Sequence, residues 1–367
     1  MNWIEDTVDD AYTNRIEFIS ECLLFCSAKH NPISFFINFF LNMLFYRRYI
    51  QKRWLDEGDN MKDSQVSFTA LLVGYMRAYH TMHDTQKIFN DFLAYDLIPK
   101  EKRELIEQHL IEHYLSCEKG LDNPEPTESF VDKVITSTFL MQAINGFISR
   151  ARYAEDNLEK AVKQGVKQYV ILGAGMDTFA FRRSDLMEKL EVFEVDHPAT
   201  QKFKLRRLAE LGWQHPAKLH FIPIDFTKES LVSALTSSPF YDPTVKSFIS
   251  WLGVTLYLTQ EDILATLRSI SEVAPAGSIV VFNYADTTVF IPEKLSPQMQ
   301  DFLKLLRTIG EPVKMGGFNP TRLAEDLKSL GFHLHENVSP KDIERYYLKG
   351  RKDGCSDYGY FACAVVE

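Results

Sequence analysis

Small and acidic residues end three consecutive apolar runs in the second half of the chain. Gly173-Ala174-Gly175 follows the run QYVIL, and glycines in such a turn let a ligand approach the backbone closely. Asp196 ends the next run, 196 − 175 = 21 residues beyond Gly175, where a carboxylate can accept hydrogen bonds from ribose hydroxyls. Asp225 and Phe226 end the third run, placed to frame an adenine ring. The pattern predicts a nucleoside pocket at one sheet edge.

A purely structural explanation of the two aspartates stays open. Helices are predicted to begin at Pro198 and Thr227, so Asp196 and Asp225 could each serve as a turn or N-cap residue. The glycine turn upstream favours the binding interpretation.

The residues after the glycine turn indicate which nucleoside fits. A dinucleotide fingerprint has a third glycine where this chain has Thr178, and Asp177 would face a pyrophosphate with the wrong charge. S-adenosylmethionine has no phosphate, so Asp177 does not oppose its binding. It would need one arginine for its carboxylate.

The elements around these residues alternate between strand and helix, which predicts an α/β fold with a parallel sheet covered on both faces. Strands are predicted over 168–172, 191–195, 219–224, 247–252, 278–284, 332–338 and 360–366. Helices are predicted over about 198–211, 227–236, 259–273 and 320–330. Upstream, residues 66 to about 162 show the apolar spacing of helices.

Composition excludes several classes. Hydrophobic residues make up 45% and charged residues 25%, which is globular composition, and a net charge of −9 argues against a broad nucleic-acid face. The five cysteines form no CxxC pair, which favours a reducing, cytoplasmic location and argues against a disulfide framework or a metal site. They are Cys22, Cys26, Cys117, Cys355 and Cys363. The acidic start, MNWIEDTVDD, is not expected to be a signal peptide.

The N-terminal part is expected to be a separate extension. Residues 30–46 contain no charged side chain, and basic residues follow them. We interpret this segment as a buried or dimer-contact helix, with a membrane-interface helix and a membrane span as alternatives; the contact region would be residues 32–53. A polar linker is predicted over 56–65. The predicted division is an extension over 1–63, a helical cap over 64–162 and a core over 163–367.

The combined motifs resemble a known family. VILGAGMDTFAFR, VFEVDHPATQKFK, FIPIDFTKESL and SWLGVTLYLTQEDILATLRSI, together with GEPVKMGGFNP at 310–320, resemble the class I methyltransferases of the leucine carboxyl methyltransferase family. The likeness is to the bacterial polyketide O-methyltransferase branch and covers residues 64–367. It implies a Rossmann-like, seven-stranded sheet with an antiparallel last strand and an N-terminal helical cap.

The resemblance also implies an S-adenosylmethionine site. Gly173, Ala174 and Gly175 would line the methionine end, and Asp196 would hold the ribose. Asp225 and Phe226 would frame the adenine. Arg150 matches the arginine that pairs with the cofactor carboxylate, although an exposed cation beside Arg152 is the alternative.

The expected activity is methyl transfer to a hydroxyl or carboxyl oxygen of a small, polyketide-like or aromatic molecule. The alternatives are a protein carboxyl methyltransferase and a non-catalytic interaction module. Leu252, before Gly253, stands where the protein-methylating and mycobacterial branches tend to have an acidic residue, which weakens the protein-substrate alternative.

No catalytic base is assigned from the sequence. His197, Tyr257, Tyr284 and Asp286 lie near the predicted sheet edge, and none has a diagnostic spacing. The segment 286–318, with its phenylalanines, is expected to help close the acceptor pocket, and the helices of 66–150 to form its other wall.

Overall fold

The computed structural model describes residues 66–117, 127–226, 228–291, 295–308, 311, 313–314 and 316–367. Gln65–Glu367 forms one compact unit. The predicted extension, its apolar segment 30–46 and the linker 56–65 lie outside the described residues. Within those residues, no helix is long and apolar enough to span a bilayer.

Five helices of the described residues precede the sheet, in the range predicted for the cap. They are α1 (Phe68–His83), α2 (Ala94–Leu97), α3 (Lys100–Cys117), α4 (Glu128–Ile135) and α5 (Thr138–Lys163). Ser67 begins α1 as its N-cap, where its hydroxyl accepts a hydrogen bond from the Ala70 N–H at 3.1 Å. These helices share an apolar core that includes Leu72, Ile106 and Ile144.

A twisted sheet forms the second part. Its strands are β1 (Gln168–Leu172), β2 (Glu191–Asp196), β3 (Leu219–Pro223), β4 (Ser247–Trp251), β5 (Ile279–Asp286), β6 (Gly317–Phe318), β7 (Phe332–Val338) and β8 (Gly359–Val366). The order β3-β2-β1-β4-β5-β8-β7 is parallel up to β5, and β8 runs antiparallel between β5 and β7. The chain therefore reverses its direction of strand addition between β1 and β4, where ligands bind in open α/β sheets.

Helices cover both faces of the sheet. They are α6 (Phe179–Arg182), α7 (Ser184–Met187), α8 (Pro198–Glu210), α9 (Leu231–Thr236), α10 (Gln260–Val273), α11 (Pro297–Thr308), α12 (Leu323–Lys328) and α13 (Pro340–Tyr347). On one face Leu235, Leu267 and Leu327 pack against the strands. On the other face Leu158 and Ile343 do so. The Rossmann-like prediction with its antiparallel last strand is thus confirmed.

The differences from prediction have local causes. The sheet has eight strands rather than seven, because β6 pairs only two residues with β5, too few to show a sequence period. Helix α9 begins at Leu231 rather than at Thr227. Helix α13 was not predicted, although a capping box at Ser339 and Asp342 with Pro340 between them marks its start.

A buried carboxylate joins the cap to the first sheet turn. Asp91, which is 1% exposed, accepts hydrogen bonds from Arg77 Nε at 2.8 Å and from the Thr178 hydroxyl at 2.6 Å. Arg77 also donates to the Met176 carbonyl at 2.5 Å. Arg182 Nε lies 3.9 Å from the same carboxylate. The position of the glycine turn relative to α1 therefore depends on Asp91.

We predict that Asp91→Ala lowers the free energy of unfolding by about 3–5 kcal/mol, because it leaves the mostly buried guanidinium of Arg77 without a carboxylate. The control is Glu104→Ala, which removes an exposed pair with Lys100 at 3.6 Å and should change stability by less than about 1 kcal/mol. Urea unfolding followed by circular dichroism measures both. Equal losses in the two variants would contradict the role given to Asp91.

Candidate functional site

The turn after β1 is held tightly against the neighbouring strand end. Gly173 and Gly175 have φ of +72° and +51°, a region that favours glycine. A Cβ on Gly173 would lie 2.3 Å from a methyl carbon of Val254, so no side chain fits there. The Gly173 N–H donates to the Val195 carbonyl at 2.8 Å. The turn therefore packs its backbone directly against Val254, and the Gly173 N–H is already used within the sheet.

Asp196 stands at the end of β2 directly beside this turn. Its carboxylate accepts hydrogen bonds from the Gly175 N–H and, at 2.6 Å, from the His197 N–H. Burial raises the pKa of this carboxyl above its usual range. A carboxylate has about four lone-pair sites. Asp196 can therefore still accept hydrogen bonds from a vicinal diol.

Arg150, on α5, approaches the end of β4 on the other side of the sheet reversal. Its Nη2 would lie 2.6 Å from a Cβ placed on Gly253, whose φ is +75°. The guanidinium lies 4.8 Å from the centroid of the Phe147 ring. The Gly253 N–H donates to Asn283 Oδ1 at 2.6 Å, which fixes this turn. Glycine at 253 thus makes room for the arginine.

The charge on Arg150 has no partner within the described part of the chain: no carboxylate there lies within ion-pair distance, and no hydrogen bond forms to it. Burial lowers the pKa of Arg150 to about 10, with Tyr257 raising it and Arg77 lowering it further. The side chain therefore remains a cation at neutral pH. A desolvated cation without a counter-ion is costly, so the site is electrostatically suited to an anion.

Asp225 and Phe226 follow β3, the strand next to β2. The Asp225 carboxylate pairs with Lys228 Nζ at 2.9 Å, and its backbone N–H donates to Glu229 Oε1 at 3.2 Å. Phe226 is partly buried against the sheet core. The three predicted strand ends therefore lie side by side along the carboxyl edge of the sheet.

A hydrogen-bonded set of three side chains, Tyr257, Thr69 and Glu311, lies next to Arg150, and the sequence analysis did not predict that they are connected. Tyr257 donates from its hydroxyl to Thr69 Oγ1 at 3.0 Å, and Thr69 donates to the Glu311 carboxylate. Burial, and next the charge of Glu311, raise the pKa of Tyr257 above its usual range. Sequence reasoning missed the connection because residues 69, 257 and 311 are far apart along the chain.

Comparison with known proteins decides the family. The model of the family "Leucine carboxyl methyltransferase" matches residues 70–271. The chain is 36% identical over 298 residues to the "Putative S-adenosyl-L-methionine-dependent methyltransferase YktD" of Bacillus subtilis (strain 168), covering 81% of this chain and 96% of that one. A relative from Mycobacteroides abscessus is 31% identical over 218 residues, with 59% and 67% covered. A DUF574 family protein from Streptomyces avermitilis superposes with a TM-score of 0.47 and 15% identity, covering 70% of this chain and 97% of that one.

The chain belongs to the leucine carboxyl methyltransferase family. It is an S-adenosylmethionine-dependent methyltransferase, as its motifs predicted. The fit of that cofactor to the site can be tested on the residues themselves. The cation of Arg150 and the glycine turn suit an amino-acid carboxylate and a closely approaching ligand, and Asp196 suits a ribose.

The other side chains considered as bases in this methyltransferase have structural partners. His197 is the N-cap of α8, where its Nδ1 accepts from the Ala199 N–H at 3.3 Å. Tyr284 is buried and donates to Asn337 Oδ1 at 2.9 Å. Asp286 accepts from the Thr288 N–H at 2.8 Å. Tyr257 differs from these three because it adjoins Arg150.

The phenylalanines of the segment 286–318 divide between two environments. Phe318 lies in the sheet core against Phe282 and Tyr284, so it does not line a pocket. Phe302, on α11, has its ring centroid 6.2 Å from that of Tyr358. Phe290 is half-buried.

For Arg150→Met we predict that the affinity for S-adenosylhomocysteine falls about 10–100-fold, because a charged hydrogen-bonded contact to the ligand carboxylate is lost. The affinity for 5′-methylthioadenosine, which lacks the amino-acid part, should not change. The unfolding temperature of the ligand-free protein should stay equal or rise, since an unpartnered buried cation is removed. Titration calorimetry and thermal unfolding measure these effects.

The matched control is Arg152→Met on the same helix. Arg152 is exposed and pairs with Asp156, so its loss should leave both affinities unchanged. An equal loss of both ligands in Arg150→Met would show that Arg150 holds the fold of the pocket rather than the carboxylate.

Proposed function

We propose that this methyltransferase acts on an oxygen of a small molecule, a hydroxyl or carboxyl of an aromatic or polyketide-like acceptor. The proposal rests on the cofactor assignment, and the observation that supports it best is the unpartnered cation of Arg150. It lies across the sheet reversal from Asp196, so the two can hold opposite ends of one extended ligand.

In the proposed arrangement each strand end has one task. Arg150 holds the cofactor carboxylate, and Gly173, Ala174 and Gly175 line the methionine part. Asp196 accepts hydrogen bonds from the ribose, and Asp225 with Phe226 frames the adenine. The order of these contacts along the carboxyl edge of the sheet follows the strand order β4, β1, β2, β3.

The bound cofactor supplies a methyl group on a sulfonium, and its transfer is a displacement in line with the sulfur–carbon bond. The chain must therefore hold the acceptor oxygen on the far side of that methyl and keep water out. We propose that the cap, residues 64–162, provides this cover over the core, 163–367. Asp91 supports that role because it fixes the glycine turn to α1.

Aromatic side chains near Tyr257 support an aromatic acceptor. Tyr358 lies close enough to Tyr257 to contribute to its raised pKa, and Phe302 packs near Tyr358. Burial raises the pKa of Tyr358 to about 12, so this phenol stays a hydrogen-bond donor at neutral pH. Such a wall suits a flat ligand with oxygen substituents.

A carboxylate acceptor is the second candidate, because the family is named for carboxyl methylation. It would need no base, whereas a phenol with a pKa near 10 would. The acidic side chain that other branches tend to have is absent at Leu252, which favours a small molecule over a protein substrate. The partner we propose is therefore a small acceptor molecule. The cysteine pattern and the net charge of −9 support a cytoplasmic location and no nucleic-acid partner.

Cofactor binding is the first test. We predict that wild-type protein binds S-adenosylmethionine and not NAD in titration calorimetry. Asp196→Ala should weaken S-adenosylmethionine binding about 100-fold, because two hydrogen bonds from the ribose to a charged acceptor are lost. Its far-ultraviolet circular dichroism should match wild type.

The control for this variant is Asp242→Ala, at the opposite edge of the sheet, where the Asp242 carboxylate accepts hydrogen bonds from Thr244 in its own turn. It should bind like wild type. Unchanged affinity in Asp196→Ala would refute the ribose assignment.

Acceptor chemistry is tested with methyl-labelled S-adenosylmethionine and a panel of aromatic phenols, aromatic acids and peptides. We expect label in a phenolic product that withstands mild alkali, because an aryl methyl ether is stable there and a methyl ester hydrolyses. Label that alkali releases from a small acid would instead identify a carboxyl acceptor, and label that appears only on peptides would overturn the proposed small-molecule acceptor.

A further inference from the structure

Glu311 is bound to the beginning of the first cap helix by several hydrogen bonds. Its Oε1 accepts from the Ser67 hydroxyl at 2.9 Å and from the Thr69 N–H at 3.0 Å. Its Oε2 accepts from the Thr69 hydroxyl. The carboxylate is half-buried, so these bonds are partly shielded from water. Glu311 therefore determines how the Thr69 hydroxyl is oriented.

The direction of this hydrogen-bond chain is fixed by the carboxylate, which has no proton to donate when ionised. Thr69 must donate its only hydroxyl proton to Glu311, so its oxygen must accept. Tyr257 fills that role by donating to Thr69 Oγ1 at 3.0 Å. The Tyr257 hydroxyl has then used its proton, and its oxygen can offer only lone pairs to a ligand.

Tyr257 ends a 3₁₀ helix, Thr255–Tyr257, that begins two residues after Gly253, the glycine against which the Arg150 guanidinium lies. Its proximity to Arg150 raises the pKa of the arginine and lowers its own, against the larger effect of burial on each. The ammonium and carboxylate of an α-amino acid are attached to one carbon. An ammonium must therefore lie close to wherever Arg150 holds the carboxylate.

We propose that Glu311 is a positioning residue for the cofactor ammonium: through Thr69 it keeps the Tyr257 oxygen as a hydrogen-bond acceptor facing that ammonium. The inference rests on the proposed cofactor assignment and extends it. Arg150 would select the carboxylate, and the Glu311–Thr69–Tyr257 chain would select the ammonium.

Charge balance agrees with this assignment. Arg150 and a ligand ammonium are two positive charges in one half-buried region, and the ligand carboxylate compensates only one of them. Glu311 supplies a second negative charge that acts on Tyr257. The end of β4, Trp251-Leu252-Gly253, contributes no acidic side chain.

The experiment compares two ligands that differ only in the ammonium: S-adenosylhomocysteine and its desamino analogue, 4-(5′-adenosylthio)butyrate. Titration calorimetry of the full chain gives both affinities, and their ratio is the readout. A general disturbance of the pocket would weaken both ligands, whereas loss of ammonium recognition lowers the ratio alone.

Two variants, Thr69→Val and Glu311→Gln, disrupt this hydrogen-bond chain at different atoms. Thr69→Val keeps the shape and removes the hydroxyl, and we expect S-adenosylhomocysteine to bind about tenfold more weakly with the desamino analogue nearly unchanged. Thr69→Ser, which restores a hydroxyl, should recover the wild-type ratio. This pair is the matched control.

Glu311→Gln is expected to reverse the donor–acceptor direction of the Glu311–Thr69–Tyr257 hydrogen bonds. The amide oxygen would accept from the Ser67 hydroxyl and the Thr69 N–H, so its NH₂ would face Thr69 Oγ1 and donate to it. Thr69 would then donate to Tyr257, whose own proton would turn toward the ligand and repel the ammonium. The affinity ratio should fall at least as far as in Thr69→Val.

Equal weakening of both ligands by Thr69→Val and Glu311→Gln, or no change in either, would overturn the inference. The proposed cofactor function is tested separately, because wild-type binding and the Arg150→Met result do not depend on Glu311. Thermal unfolding of each variant identifies any loss of affinity that comes from misfolding. Tyr257→Phe is a further test, for which we expect the same fall in the affinity ratio as for Thr69→Val.

Discussion

The ligand site depends on one unbalanced charge. Arg150 is brought into a half-buried position on α5, over a glycine that leaves room for it, and no carboxylate in the described part of the chain neutralises it. Removing a guanidinium from water without a partner costs free energy unless a ligand supplies the anion. In the proposed arrangement the cofactor carboxylate supplies that anion, so Arg150 would select for the cofactor.

The remaining structure places that charge across the glycine turn from the end of β2, where we propose that the ribose binds. The strand order places β4 and β2 on either side of β1, so Gly253 and Asp196 flank the glycine turn. Asp91 fastens this turn to α1, and α5 packs on both α1 and the sheet. We therefore expect the cap to contribute to the proposed binding site.

The features that could be predicted from the sequence are those that depend on residues close together along the chain. The glycine turn, Asp196 and the strand ends could be read because apolar runs, turn residues and their spacing lie close together along the chain. Arg150 required the family resemblance, since a single arginine in an amphipathic helix has no signature of its own. The contacts of Asp91 and Glu311 could not be predicted, because both join residues that only tertiary packing brings together. Strand β6 was missed because two residues show no period.

The central claim is that the ends of β1, β2 and β4 hold one molecule of S-adenosylhomocysteine or S-adenosylmethionine. A crystal structure of the protein with S-adenosylhomocysteine tests it most directly. We expect the ligand carboxylate within hydrogen-bond distance of the Arg150 guanidinium and both ribose hydroxyls on the Asp196 carboxylate. Density for the ligand elsewhere, or an Arg150 turned to a protein carboxylate with Asp196 free of the ribose, would contradict it.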